Sequence, residues 1–162
     1  VHVLPDRTVT VHMGPAQVTG KSTAKVAGQE YSGVAVDVGN PHLVSVIDSA
    51  VADLDLRDQP SFDGRFFPHG VNVEFINRIS VDTLRMRVYE RGVGETRACG
   101  TGTVAAVAAD LHLSGADAGA RTVHVPGGTV EVTVEPGAST LTGPAVILAS
   151  GEFDTGWWND PA

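Results

Sequence analysis

One stretch of this chain has the pattern of a helix that must be buried, and most of what surrounds it alternates as strands do. Thr101–Leu113, TGTVAAVAADLHL, sets Val104, Val107, Ala108 and Leu111 at helical spacing, with Gly115 beyond as a C-terminal stop. Its alanines make it slim and apolar on nearly every side, and a helix of that kind is stable only when covered. Period-two alternation supplies the cover. Val9, Val11 and Met13 share one strand face, and Val34, Val36 and Val38 share another. Further strands are predicted at Leu43–Ile47, Val71–Ile76, Thr83–Tyr89, Thr122–Val125, Thr129–Val134 and Val146–Ala149. The 19 glycines and nine prolines break these into short segments. The expected fold class is α+β: a curled, mostly antiparallel β-sheet, barrel-like, wrapped around a central α-helix.

Length and charge narrow the function. The 162 residues suffice for one compact domain and not for two full ones. A formal net charge of −8 argues against nucleic acid as a partner, which would require a basic face. No apolar run approaches the roughly 18 to 20 residues that span a bilayer, and the opening VHVLPDRTVT has no leader pattern. Neither a membrane partner nor export is expected. One cysteine cannot form an internal disulfide, which fits a reducing, cytoplasmic setting. The chain opens on Val1 rather than Met, inside an expected strand, and so reads as a piece of a longer protein.

Chemistry concentrates just before the helix, in YERGVGETRACGTGTVA from Tyr89 to Ala105. Cys99 lies at the helix mouth, where the first backbone N–H groups lack intrahelical partners and the positive end of the macrodipole points. Both effects are expected to lower a thiol pKa. Gly100 and Gly102 allow close approach to the backbone. No Asp or Glu occupies the first turn, so the helix end is predicted to bind an external anion such as a carboxylate. Against this stands the common role of a lone cysteine as a small buried hydrophobe, and Glu90 and Arg91 also read as an ordinary surface pair. From the residues alone the segment is an anion-binding helix terminus whose thiol is either reactive or merely packed, and a non-catalytic anion-binding domain stays open.

Other chemistries fit less well. GPAQVTGKS at Gly14–Ser22 imitates a phosphate-binding loop, but five residues separate its first glycine from the Gly-Lys pair where four are needed. The six histidines are scattered without HxxxH or CxxC spacing, so no metal is expected. Lys21 and Lys25 lie outside the chemistry-bearing motifs, so no pyridoxal Schiff base, and no other cofactor, is expected.

ERGVGETRACGTG, together with GNPH at Gly39–His42 and VNVEF at Val71–Phe75, closely resembles the diaminopimelate epimerase family. Three separated motifs occur in the family's order, covering roughly Val36 to Val107. The resemblance implies interconversion of LL- and meso-diaminopimelate in lysine and peptidoglycan precursor biosynthesis, without a cofactor. One thiolate takes the α-proton while a thiol on the opposite face delivers another. Cys99 matches the second of the two cysteines. Gly100 and Thr101 match positions whose amides hold the α-carboxylate. Asn40, Asn72 and Arg91 match the grip on the distal amino-acid end, Glu90 a binding and catalytic-support position, and His42 a histidine close to the reacting centre. Physical chemistry agrees: Arg meets a carboxylate bidentately, Asn offers donor and acceptor together, and a helix N-terminus stabilises charge developing at the α-carboxylate. Individually, Asn40 and Asn72 could be turn residues and His42 a structural histidine; their joint occurrence is the signal.

The resemblance covers only the family's C-terminal half. The N-terminal half, with the other cysteine, is the expected partner, and without it the chain is expected to be inactive. Residues 1–148 are read as the epimerase domain and 149–162 as a tail that pairs with the absent half. Val146, Ile147, Leu148, Phe153, Trp157 and Trp158 make that end apolar, so a homodimer is expected when it lacks its partner. Proline racemase-type enzymes share the two-thiol logic and a CGTGT stretch. They bind a small imino acid with no distal amino-acid end, which ERG, GNPH and the VNVEF asparagine disfavour.

Overall fold

The computed structural model describes residues 1–152 and 154–156. In chain order the elements are β1 (His2–Val3), β2 (Thr8–His12), β3 (Gln17–Val26), β4 (Gln29–Asp37), β5 (Pro41–Val46), β6 (Ser61–Phe62), β7 (Asn72–Arg78), β8 (Thr83–Glu90) and β9 (Gly94–Thr96). The helix α1 (Gly100–Leu113) follows, then β10 (Gly119–Val125), β11 (Gly128–Glu135) and β12 (Ala138–Pro144). All the strands join one sheet in the order β1-β2-β12-β11-β10-β8-β7-β5-β4-β3-β6, with β9 added beside β8. The sheet curls around α1, which touches β3, β4, β5, β7, β8, β10, β11 and β12. The expected α+β class and central helix hold. Among the described residues the sheet stays open rather than closing into a barrel, with β1 and β6 at its two ends.

Pairing is antiparallel except for β5 with β7 and β8 with β10. Parallel neighbours need a long crossover, and both crossovers are used. Between β8 and β10 it includes α1 itself. Between β5 and β7 it is the segment 47–71, which covers the outer face of the sheet. Strands β4, β5 and β7 are thus buried on both faces, and their alternating residues feed two cores. Val34, Val36, Val44 and Ile76 pack with Val104, Ala105, Val107 and Leu111 of the helix. Ala35, Leu43, Val73 and Phe75 pack outward with Val51, Leu56 and Phe67. A two-sided strand reads as a nearly continuous apolar run, so a polar residue within one stands out. Glu74 of β7 is such a residue, fully buried.

The far end of the helix is pinned. Asp110, 3% exposed, accepts from Arg78 Nε at 2.5 Å and Arg121 Nε at 2.8 Å. Arg78 also reaches the Asp110 carbonyl and Ser114 Oγ. Cations beside the last helical turn complement its dipole.

Val146–Ala149 is not a strand, contrary to its apolar composition. Pro144 pairs with Thr8, the first residue of β2, so the ladder ends there. Val146, Ile147 and Leu148 are 77%, 89% and 92% exposed. Phe153, Trp157 and Trp158 lie outside the described residues. Gly20, Lys21 and Ser22 sit within β3, so the Gly-Lys pair of the phosphate-loop lookalike lies in a strand and not at the mouth of a helix. No helix among the described residues is long and apolar enough to cross a membrane, and no three His, Cys, Asp or Glu side chains cluster there as a metal would need.

Candidate active site

The eight residues singled out in the sequence converge on one end of the sheet, around the N-terminus of α1. Cys99 is the helix N-cap, with extended backbone at φ −136° and ψ 117°. Its Sγ accepts from Gly102 N–H at 3.4 Å and lies 3.6 Å from Thr101 Oγ1. Gly100 and Thr101 occupy the first two helical positions, where N–H groups have no intrahelical acceptor. No acidic residue of the helix itself stands in its first turn.

The start of β5 and the start of β7 run side by side, with His42 opposite Asn72. Asn72 Oδ1 accepts from the Arg91 backbone N–H at 2.8 Å, and its Nδ2 lies 3.4 Å from the Pro41 carbonyl. That bond fastens the turn after β8, carrying Glu90 and Arg91, to the adjacent strands. Arg87 reinforces it by holding Glu95 of β9 through a bidentate pair at 2.6 and 2.9 Å. Glu90 Oε1 accepts a short hydrogen bond from Thr96 Oγ1. The Arg91 guanidinium is held at the exposed rim by donation to the His69 carbonyl at 2.9 Å. Its stem crosses Gly70, whose positive φ of 81° and close approach exclude a Cβ.

His42 is wholly buried, with both ring nitrogens engaged: Nδ1 lies 2.6 Å from Glu74 Oε1 and Nε2 3.1 Å from Asn40 Oδ1. Glu74 is a site residue that the sequence reading passed over. The signal was available, because Glu74 is the charged residue within VNVEF and shares the inward face with Asn72. A Cβ at Gly102 would stand 2.8 Å from Glu74 Oε1 and 3.2 Å from Cys99 Sγ. Gly102 thus lets the carboxyl and the thiol border the same small space.

The electrostatics of Cys99 differ from expectation. Burial pushes its thiol pKa up, and the carboxyls of Glu74 and Glu90 push the same way, against hydrogen bonds from Thr101 and Gly102 that lower it. The opposing charges come from β7 and β8, remote in sequence from the helix mouth. In this chain alone Cys99 is expected to react with iodoacetamide more slowly than a free thiol near neutral pH. Its alkylation rate should keep climbing beyond pH 8.5 or so, the ordinary thiol range. A rate that levels off below that pH would contradict this account.

The cavity of about 350 Å³ lined by Lys21, Thr23, Val34, Val46 and Leu113 is far from this chemistry, against the last residue of α1.

Residues 34–148 match the family described as Diaminopimelate epimerase. The diaminopimelate epimerase of Rhodococcus jostii (strain RHA1) is 52% identical over 155 residues, covering 93% of this chain and 54% of that protein. That of Corynebacterium glutamicum (strain R) is 54% identical over 148 residues, covering 89% and 53% respectively. Among solved structures, a hydroxyproline epimerase from Agrobacterium vitis aligns with a TM-score of 0.57 and 16% identity, over 85% of this chain and 50% of the other. A probable proline racemase from Agrobacterium radiobacter K84 aligns with a TM-score of 0.56 and 16% identity, over 90% and 56%. At that identity these structures establish the shared fold and nothing about substrate. The chain spans about half the length of the curated relatives it matches. On three motifs in order, a fold shared with epimerases and half-identity to curated relatives, the chain belongs to the diaminopimelate epimerase family.

Proposed function

We propose that this chain forms one half of a cofactor-independent diaminopimelate epimerase and supplies one of two thiols that exchange the α-proton. The observation that carries the reading is the placement of Cys99 as N-cap of α1, beside the free-ended amides of Gly100 and Thr101. A substrate α-carboxylate bound at those amides would have its α-carbon next to the sulfur. The helix dipole and N–H groups would then stabilise the negative charge that develops as the α-proton leaves. The raised thiol pKa fits a group poised to deliver a proton in one direction. In the reverse direction the thiolate must form, and a site closed by a second half with its own thiol would complete that exchange. Glu90, held by Thr96, supports the same site, and residues 149–162 are read as the tail that pairs with the second half.

The distal grip follows from the asparagines. Asn72 commits its oxygen to the Arg91 backbone, and Asn40 commits its oxygen to His42. Asn40 therefore has N–H groups to offer, Asn72 keeps one beside its contact with the Pro41 carbonyl, and with the Arg91 guanidinium they suit a carboxylate. A small imino acid would leave this set without a partner, which favours diaminopimelate over proline-type substrates.

Deuterium incorporation at the α-carbon of diaminopimelate tests the reading. The chain alone is expected to show none, and the chain joined to a diaminopimelate epimerase N-terminal half to show turnover. Incorporation by the chain alone would refute a site shared between halves. Arg91→Lys in the joined enzyme keeps the charge but loses the planar fork. It is expected to raise KM about 10- to 100-fold, the worth of a hydrogen bond to a charged group. Unchanged steady-state kinetics would remove Arg91 from the grip.

A further inference from the structure

His42 and Glu74 are both 0% exposed, and their side chains meet at 2.6 Å. Glu74 Oε2 has no hydrogen-bond partner. A pair so completely removed from water is stable only when its net charge is zero, because an uncompensated buried charge is costly. Three arrangements meet that condition, but one of them, a protonated Glu74 accepting from Nδ1–H of a neutral imidazole, would leave its own O–H on Oε2 buried without an acceptor. Two remain. Either a protonated Glu74 donates to a neutral imidazole at Nδ1, or an imidazolium donates from Nδ1 to a carboxylate. In both, the proton on Nε2 stays in place. The charged arrangement, a neutral His42 protonated at Nδ1 beside ionised Glu74, buries a net negative charge. Burial pushes the Glu74 carboxyl up, and the nearby Glu90 adds to that push while His42 opposes it. Nε2–H has one acceptor, Asn40 Oδ1 at 3.1 Å. With its oxygen turned to the ring, the Asn40 amide directs its N–H groups away from His42, where a ligand can meet them.

We propose that Glu74 is a positioning residue that acts through His42 on Asn40, so that Asn40 presents donors, and not its oxygen, to the distal carboxylate of the substrate. The link runs from a buried acid on β7, through a buried ring on β5, to an amide at the rim. Its substrate-facing end rests on the functional reading above; its buried end does not.

Nitrogen-15 NMR of the imidazoles in the chain itself, near pH 7, tests the buried end, with the His42 signals identified by their loss in His42→Gln. Wild type is expected to carry a proton on Nε2. Glu74→Gln should keep it there, since the Gln amide can donate to Nδ1, whereas Glu74→Met should give a mixture of tautomers. Wild-type His42 with its only ring proton on Nδ1, or a ring state unchanged in Glu74→Met, would overturn the proposal. Should Glu74→Met fail to fold, the wild-type and Glu74→Gln tautomers still decide it. In the enzyme joined to its second half, Glu74→Met should raise KM for diaminopimelate about 10- to 100-fold with a smaller change in kcat. Glu74→Gln should stay near wild type. A shifted tautomer with unchanged KM would overturn the substrate-facing end. Absence of epimerase activity in the wild-type joined enzyme would instead fail the functional reading alone, with the tautomers still deciding the Glu74–His42–Asn40 link.

Discussion

Exchange of Cys99 for alanine in the joined enzyme is expected to lower turnover by about 10²- to 10⁴-fold, the usual contribution of a positioned acid or base. Thr101 Oγ1 is the hydroxyl at the sulfur, and a hydroxyl is far too weak an acid to replace a thiol here. Glu74 borders the same space but is held by His42. The amides of Gly100 and Thr101 remain in the variant, so substrate binding should persist and the loss should appear in kcat, with KM within a few-fold of wild type. Epimerisation at more than half the wild-type rate would dismiss Cys99 as the acid/base.

The second large effect concerns the other end of the same helix. Asp110→Ala removes the carboxylate that two arginines share, at a site 3% exposed. Breaking a buried ion pair from one side costs roughly 3–5 kcal/mol. Arg78, 43% exposed, can turn to water, but Arg121 at 13% cannot do so without disturbing its surroundings. A loss near the lower bound, about 3 kcal/mol, is therefore expected, with a fall in Tm of about 6–12 °C for a domain of this size. Asp110 lies about 16 Å along the helix from Cys99, so kcat measured well below the melting range should not change. A Tm shift under about 2 °C would mean that both guanidinium groups find solvent, and that the clamp contributes little.

These two ends also mark what was legible in the sequence. The helix was plain because its apolar residues cover nearly the whole circumference, which only a wrapped sheet can bury. Strands such as β4 and β7 were plain because Val34, Val36 and Val73 follow the pleat. Pairing was less accessible: the parallel contacts of β5 with β7 and β8 with β10 depend on where the long crossovers travel, and no local pattern encodes that. Val146–Ala149 has the composition of a strand but, among the described residues, no neighbour beyond Pro144 to pair with. At the site, the motifs picked out residues that the structure brings together, whereas the thiol's electrostatics and the Glu74–His42 contact emerged only from packing. Glu74 and Glu90 come to Cys99 across strand ladders, so the residues at the helix mouth carry no sign of their charges.

The join between β2 and β12 has a consequence for how such a half is made. Thr10 and Thr142, 132 positions apart, share a hydrogen bond in that ladder. Closing so long a loop costs entropy before any contact rewards it. The β8–α1–β10 unit can collapse early from neighbouring segments, but β1 and β2 have nowhere to dock until β12 exists. During synthesis the β1–β2 pair must therefore wait, with the other edge of β2 uncovered, until nearly the whole half has left the ribosome. Their docking should be a late folding event, visible as weak early amide protection in β2 while β7 and β8 are already protected.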